Sequence, residues 1–228
     1  AYVEPSATPE PTAVPTPTAE PTATPEPTAT PEPTATPVPV FEFLPVYNKI
    51  DTNQRMIAIT IDDCNEMENL KKICGMANHF GGDLTLFPIG ENVENPELAE
   101  VLRGCVFQLG FQVENHTYSH SRIFRLSDDE MAAEIWKQDA ALDKALGVHY
   151  QEHFLRLMGG DGDTDPRIHS YLKQLGYLGI ANWSVSGSDS DMAHIKSSLA
   201  PGQIYLFHTT DPDTKKLKEF IPWAVSKG

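Results

Sequence analysis

Across the C-terminal four-fifths of the chain, short apolar runs of strand length alternate with stretches whose apolar positions recur every three or four residues. Residues 56–61 read as a buried strand. The stretch 66–80 after it sets Met67, Leu70, Ile73, Cys74 and Ala77 on one helical face. A second apolar run covers 84–89, and Asn95-Pro96 then supplies a cap with proline at the first helical position. A third run covers 111–114. Ser127-Asp128-Asp129-Glu130 is a capping box that opens a long helix, which Gly147 is placed to end. Further strands are expected at 154–158, 177–182 and 204–207, with helices near 166–175, 191–199 and 214–226. A hairpin-like segment at 46–50 precedes the first of these strands. Such alternation predicts an α/β fold whose sheet is parallel and closed, or nearly closed, into a barrel.

Polar residues interrupt this pattern at one kind of place. Asp62 and Asp63, His116, Arg156, Trp183 and His208 each fall at the C-terminal end of an expected strand. In a (β/α) barrel those ends meet on one face, where such barrels carry their chemistry. The pair His116 and His120 stands four apart, a spacing that puts both imidazoles on one face of a helical turn. Two imidazoles and one carboxylate form the usual three-ligand set of a catalytic zinc site, with a position left for water. The second carboxylate is then free to act as a base, which describes a hydrolase.

Composition divides the chain near residue 40. Twelve of the nineteen prolines lie in residues 1–40, which hold no Lys or Arg and repeat the hexad Glu-Pro-Thr-Ala-Thr-Pro at 20–25, 26–31 and 32–37. A segment of this kind buries too little apolar surface to fold and is expected to act as a disordered, extended spacer, reaching about 100 Å. Residues 41–228 are long enough for one domain with its own core. The formal net charge is −15, of which about −10 belongs to that domain, arguing against nucleic acid or an anionic membrane as a partner. No apolar run approaches a membrane span. The Pro/Thr spacer suggests an extracellular protein tethered to the bacterial surface or wall, with its leader or anchor upstream. Cys64, Cys74 and Cys105 are too few for a disulfide framework; buried free thiols are expected, with a Cys74–Cys105 bridge as the alternative.

With the motifs in this order, residues 46–228 resemble the NodB homology domain of polysaccharide deacetylases, carbohydrate esterase family four. Thr60-Ile61-Asp62-Asp63-Cys64 is similar to the family's Thr-Phe-Asp-Asp-Gly, and His116–His120 matches its His-Ser/Thr-x-x-His. Arg156-Leu157-Met158-Gly159-Gly160 resembles its Arg-x-Pro-Tyr-Gly. The segment from Trp183 to Ser190 resembles its Asp-Trp motif, and Leu206-Phe207-His208 its Leu-x-His. The resemblance implies a distorted (β/α) barrel of about seven repeats. It implies a divalent metal, zinc or else cobalt or nickel, on Asp63, His116 and His120, with Asp62 as base. Arg156 would orient Asp62, His208 would protonate the leaving group, and Asp189 would buttress His208. The implied activity is removal of acetyl groups from a polysaccharide by a monomer: N-acetyl groups of peptidoglycan, or O-acetyl groups of a glycan such as xylan. A non-catalytic, metal-containing wall-binding protein is the competing expectation. Cys64 stands where the family has glycine and is expected to pack. Leu157, Met158 and Gly159 replace the family's Pro-Tyr edge, and Ser190 replaces Trp, altering the cleft walls. The acidic run Asp161–Asp165, the remaining histidines, and Trp136 and Trp223 are expected to be loop, surface and core respectively.

Overall fold

The computed structural model describes residues 41–227; the expected Pro/Thr-rich spacer at 1–40 lies outside the described residues. Among the described residues, eight strands form two parallel sheets. In the larger, β4 (Gln112–Val113), β3 (Thr85–Pro88), β2 (Ala58–Asp63), β8 (Ile204–His208) and β7 (Val185–Ser186) lie side by side in that order. In the smaller, β6 (Gly179–Ala181) lies between β1 (Val46–Tyr47) and β5 (Phe154–Leu155). A parallel bridge, Asn115 to Leu155, and an antiparallel one, Lys49 to Gln203, link the two. The result is the expected α/β barrel in distorted form. The segment at 46–50 is not a hairpin: Val46 and Tyr47 pair in parallel with Ile180 and Ala181 and make a strand of the barrel.

The helices follow their sequence signals. Asn95 Oδ1 accepts from the Glu97 N–H at the start of α3 (Pro96–Phe107). Ser127 and Glu130 form the reciprocal capping box of α4 (Asp128–Leu146), and Gly147 ends that helix at φ 74°. Asp165 caps α5 (Pro166–Leu175), and Thr210 caps α7 (Asp211–Val225), which starts three residues earlier than expected. Helices α1 (Met67–His79) and α6 (Met192–Ser197) complete the outer layer, with the single turn α2 (Gly90–Val93). The apolar faces bury Leu70, Ile73, Leu102, Leu217 and Phe220 against Ile61, Leu86, Val113 and Phe207. Each such side chain contributes about 1.5–3 kcal/mol of transfer free energy. A second cluster around Ile180, Leu155, Ile168 and Leu172 supports the smaller sheet.

Three expectations change here. Trp136 lies on the outer side of α4 and is 47 % exposed, so it is not core, whereas Trp223 stacks on Phe220. His169 is fully buried, its Nδ1 accepting from the Leu44 N–H at 3.0 Å and its Nε2 donating to the Asp163 carbonyl at 2.8 Å. Strand β2 starts two residues later than expected and runs through Asp63, so the two carboxylates are its last two positions rather than residues beyond it.

Candidate active site

Strand β2 sits at the centre of the larger sheet, and its register sets the site. Asp62 aligns with His208 on β8 and with Phe87 on β3. Alternation sends Ile61 into the core while Asp62 turns towards the smaller sheet. There the buried Arg156 meets it, Nη1 donating to both carboxylate oxygens at 2.9 and 3.0 Å. Arg156 is fully buried, and its Nη2 also reaches Thr60 Oγ1 at 3.2 Å, while Phe87 and Trp183 flank the guanidinium at 4.4 and 5.4 Å. Burial lowers its pKa, with Asp62 opposing. A charge this deep is tolerable only because a partner compensates it.

The chain then turns sharply. Asp63 and Cys64 take left-handed conformations at φ 65° and 53°, which rotates the Asp63 carboxylate away from Asp62's partner and towards the loop after β4. In that loop the expected helical turn is absent. Thr117 and His120 are themselves left-handed, at φ 65° and 57°, and Asn115 Oδ1 accepts from the Thr117 N–H at 2.8 Å to shape the bend. The two imidazoles nevertheless converge, their ring centroids 4.7 Å apart. His116 Nε2 lies 3.4 Å and His120 Nε2 3.7 Å from Asp63 Oδ1.

The tautomer of His116 follows from its other side. Its Nδ1 lies 2.9 Å from the Arg156 carbonyl, which can only accept, so Nδ1 carries the proton and Nε2 presents a lone pair to Asp63. Asp63 Oδ1 is buried without a hydrogen-bond partner. Ligand atoms of Asp63, His116 and His120 all lie within 4.8 Å of one another. Two imidazole nitrogens converging on one unsatisfied carboxylate oxygen suit a divalent cation, so the residues fit the metal they imply. Burial pushes the Asp63 carboxyl up, but the neighbouring imidazoles of His116, His120 and His208 leave it below the usual range. Burial, reinforced by His116, pulls His120 down, which favours the neutral ligand form.

His208, half-buried at the end of β8, does not meet Asp189. Asp189 is exposed, and its carboxylate accepts from Ser186 Oγ at 2.6 Å. The neighbours of His208 are Ser188, whose Oγ lies 2.8 Å from Nδ1, and the buried Asp213 of α7. Neither was singled out from sequence. Asp213 reads there as an ordinary first-turn helix acid, and Ser188 as one polar residue among several. Cys64 is fully buried with Sγ 3.7 Å from the Ile61 carbonyl, and burial beside Asp62 and Asp63 holds its thiol well above the ordinary value. It therefore packs as a neutral thiol. Cys74 and Cys105 are likewise buried and free, the Cys105 thiol donating to Cys74 Sγ at 3.3 Å. In the acidic run, Asp165 caps α5, Asp161 pairs with Arg122, and Asp163 accepts from Asn182.

Residues 49–180 match the family described as polysaccharide deacetylase. A peptidoglycan-N-acetylglucosamine deacetylase of Bacillus cereus is 26 % identical over 77 % of this chain and 66 % of its own length. A peptidoglycan-N-acetylmuramic acid deacetylase of Bacillus subtilis, PdaC, is 30 % identical over 61 % of this chain and 28 % of its own. The chain thus spans less than two thirds of either relative. Among solved structures, a pseudoenzyme of carbohydrate esterase family 4 from Bacillus anthracis has the same fold. It is 22 % identical, with a TM-score of 0.68 over 77 % of this chain and 62 % of that one.

Proposed function

The chain belongs to the polysaccharide deacetylase family, and on that premise we propose that it is a metal-dependent hydrolase that removes N-acetyl groups from peptidoglycan or a related cell-wall glycan. The observation that carries this reading is Asp62. Its carboxylate is clamped by Arg156 beside a cluster of one carboxylate and two imidazoles. A protein that only binds glycan has no need of a buried, oriented base.

In this reading Asp63, His116 and His120 hold a divalent metal, zinc by ligand type, with cobalt or nickel as alternatives. When bound, the metal supplies Lewis acidity, polarising the acetyl carbonyl and making water more acidic. Asp62 accepts the proton of the attacking water. Arg156 keeps that carboxylate oriented by donating to both of its oxygens. His208, on the neighbouring strand, returns a proton to the amine nitrogen as the carbon–nitrogen bond breaks, giving acetate and a free amine. A leaving amine needs that proton far more than an activated ester does.

The relatives named above act on peptidoglycan, which supports an extracellular site of action at the wall. No helix among the described residues is long and apolar enough to cross a membrane. The segment 1–40 acts in this proposal as a spacer between the catalytic domain 41–228 and the surface. Acetate release from acetylated peptidoglycan and from N-acetylglucosamine oligomers, with zinc or with chelator, tests the assignment. Chelator-sensitive release is expected. Glycan binding without any release, at any metal, would instead establish the non-catalytic reading.

A further inference from the structure

We propose that Asp213, acting through Ser188, is the positioning residue for His208, the role that the family pattern assigns to Asp189. The proposal rests on the reading of His208 as proton donor. Asp213 Oδ2 gathers three groups: it accepts the backbone N–H of His208 at 2.8 Å and the hydroxyl of Ser188 at 2.5 Å, and lies 3.6 Å from His208 Nδ1. The direct gap to Nδ1 is too long for a hydrogen bond, so the bonded path runs through Ser188. A carboxylate only accepts. The Ser188 proton therefore points at Asp213, and the Ser188 oxygen is left to accept from Nδ1–H at 2.8 Å. This chain fixes the proton on Nδ1 and leaves Nε2 as the atom that gives and takes one.

The surrounding loop is built to hold this arrangement. Gly187 lies against Phe207, whose ring would sit 2.2 Å from any Cβ at that position, so only glycine lets the loop after β7 come close enough. Lys216 on α7 donates to the carbonyls of Gly187 and Ser188 at 2.8 and 2.7 Å and lies 3.8 Å from Asp213 Oδ1. One helix thus holds both the carboxylate and the loop that carries Ser188. Asp189, one residue on, points outward to Ser186. The other charged groups around His208 are Asp62 and Asp63 at the end of β2 and His120 across the site. The nearby Asp213 carboxylate raises the His208 pKa, burial opposes it, and the two β2 carboxylates add to the rise. Burial pushes Asp213 up, while His208 and Ser188 hold it below the usual carboxylate range.

The test is the tautomer of His208, read by long-range proton–nitrogen NMR on the full, metal-free chain labelled with 15N-histidine, the signal assigned with His208→Gln. The neutral wild-type ring is expected as the Nδ1–H form. Asp213→Ala should shift it towards Nε2–H, Ser188→Ala in the same direction, and Asp189→Ala not at all. On an acetylated glucosamine oligomer, kcat of Asp213→Ala should fall on the order of 10–100-fold, with a smaller loss on an activated acetyl ester, because only part of the acid's contribution is removed. A wild-type ring in the Nε2–H form, or a shift on Asp189→Ala and none on Asp213→Ala, overturns the proposal. Should Asp213→Ala fail to fold, Ser188→Ala decides: an unchanged tautomer overturns it. The NMR outcome stands even if the wild-type protein releases no acetate, so failure of the relay and failure of the deacetylase reading are separable.

Discussion

Arg156 serves His116 and Asp62 at once: its backbone carbonyl accepts from His116 Nδ1 at 2.9 Å while its guanidinium grips both oxygens of Asp62. One residue at the end of β5 therefore sets the tautomer of His116 and the orientation of the Asp62 carboxylate. The two functions separate by mutation, because a side-chain change leaves the carbonyl in place. Arg156→Met should cost about 3–5 kcal/mol of stability, since it strands a buried carboxylate. It should nevertheless retain metal, as measured by elemental analysis of the dialysed protein. Loss of metal equal to that of a ligand variant would show that the carbonyl contact is not what orients His116.

Metal retention should sort the two aspartates. Asp63→Ala and His120→Ala remove one of the three convergent ligand atoms and should lose metal on dialysis. Asp62→Asn keeps its hydrogen-bonding oxygen, and should keep the metal yet lose most turnover on an acetylated oligomer. Near wild-type turnover in Asp62→Asn would remove Asp62 from the role of base.

The sequence carried the ends of strands better than the path between them. Asp62, Asp63, Arg156 and His208 were legible because a strand's last residues are read from where its apolar run stops. The meeting of His116 and His120 was foreseen for the wrong reason. Helical spacing was assumed, whereas two left-handed residues and the Asn115 cap bend the loop, and no periodicity reports that. The Asp189 assignment failed because contact with His208 is decided by how α7 lies on the β7 loop, a tertiary fact. Asp213 sits five residues after His208 in a first turn where acids are common anyway. The short strand β7 was not foreseen, and the segment of β1 read as a hairpin because its pairing with β6 is set by the tertiary fold.

Glu152 should make stability fall as pH rises. It is 2 % exposed, one of its oxygens has no partner, and burial with Asp139 nearby raises its pKa from 4.5 to about 9. A carboxyl with a raised folded value is bound to its proton more tightly in the native state. Its penalty is absent below 4.5 and grows as pH climbs from there towards 9. Glu152→Gln should therefore change unfolding free energy little at pH 5 and raise it at pH 8, by on the order of a few kcal/mol. Urea unfolding of both proteins at the two pH values measures this. An equal effect at both would mean that the side chain acts by packing alone.

The thiols should be inert in the native protein. Cys64, Cys74 and Cys105 are at most 4 % exposed, and burial holds the Cys64 thiol in its unreactive neutral form. An aromatic disulfide reagent should label none of them in buffer and all three in denaturant. Rapid labelling of the folded protein would contradict the packed position of Cys64 beneath the two aspartates.

The wall after β5 is where substrate preference should depart from that of the family. Leu157 is 1 % exposed and lends nothing to the cleft, and Gly159 and Gly160 follow at φ 65° and 74°, so backbone replaces the rigid edge that Pro-Tyr would provide. A Cβ at Gly160 would lie 3.5 Å from the Trp183 ring, which places that indole against the glycines. Aromatic faces supply much of the contact area in small-ligand sites, so a single sugar ring finds few stiff surfaces here. Short acetylated oligomers should bind weakly, with a high KM and little discrimination among them, and longer chains should gain from contacts distributed along the cleft. Comparing kcat/KM on a dimer and a hexamer of N-acetylglucosamine decides the matter. A hexamer advantage of about tenfold or more corresponds to roughly 1.4 kcal/mol of added transition-state binding. Equal, high efficiency on the dimer would mean that Trp183 and the glycine edge already form a complete sugar site.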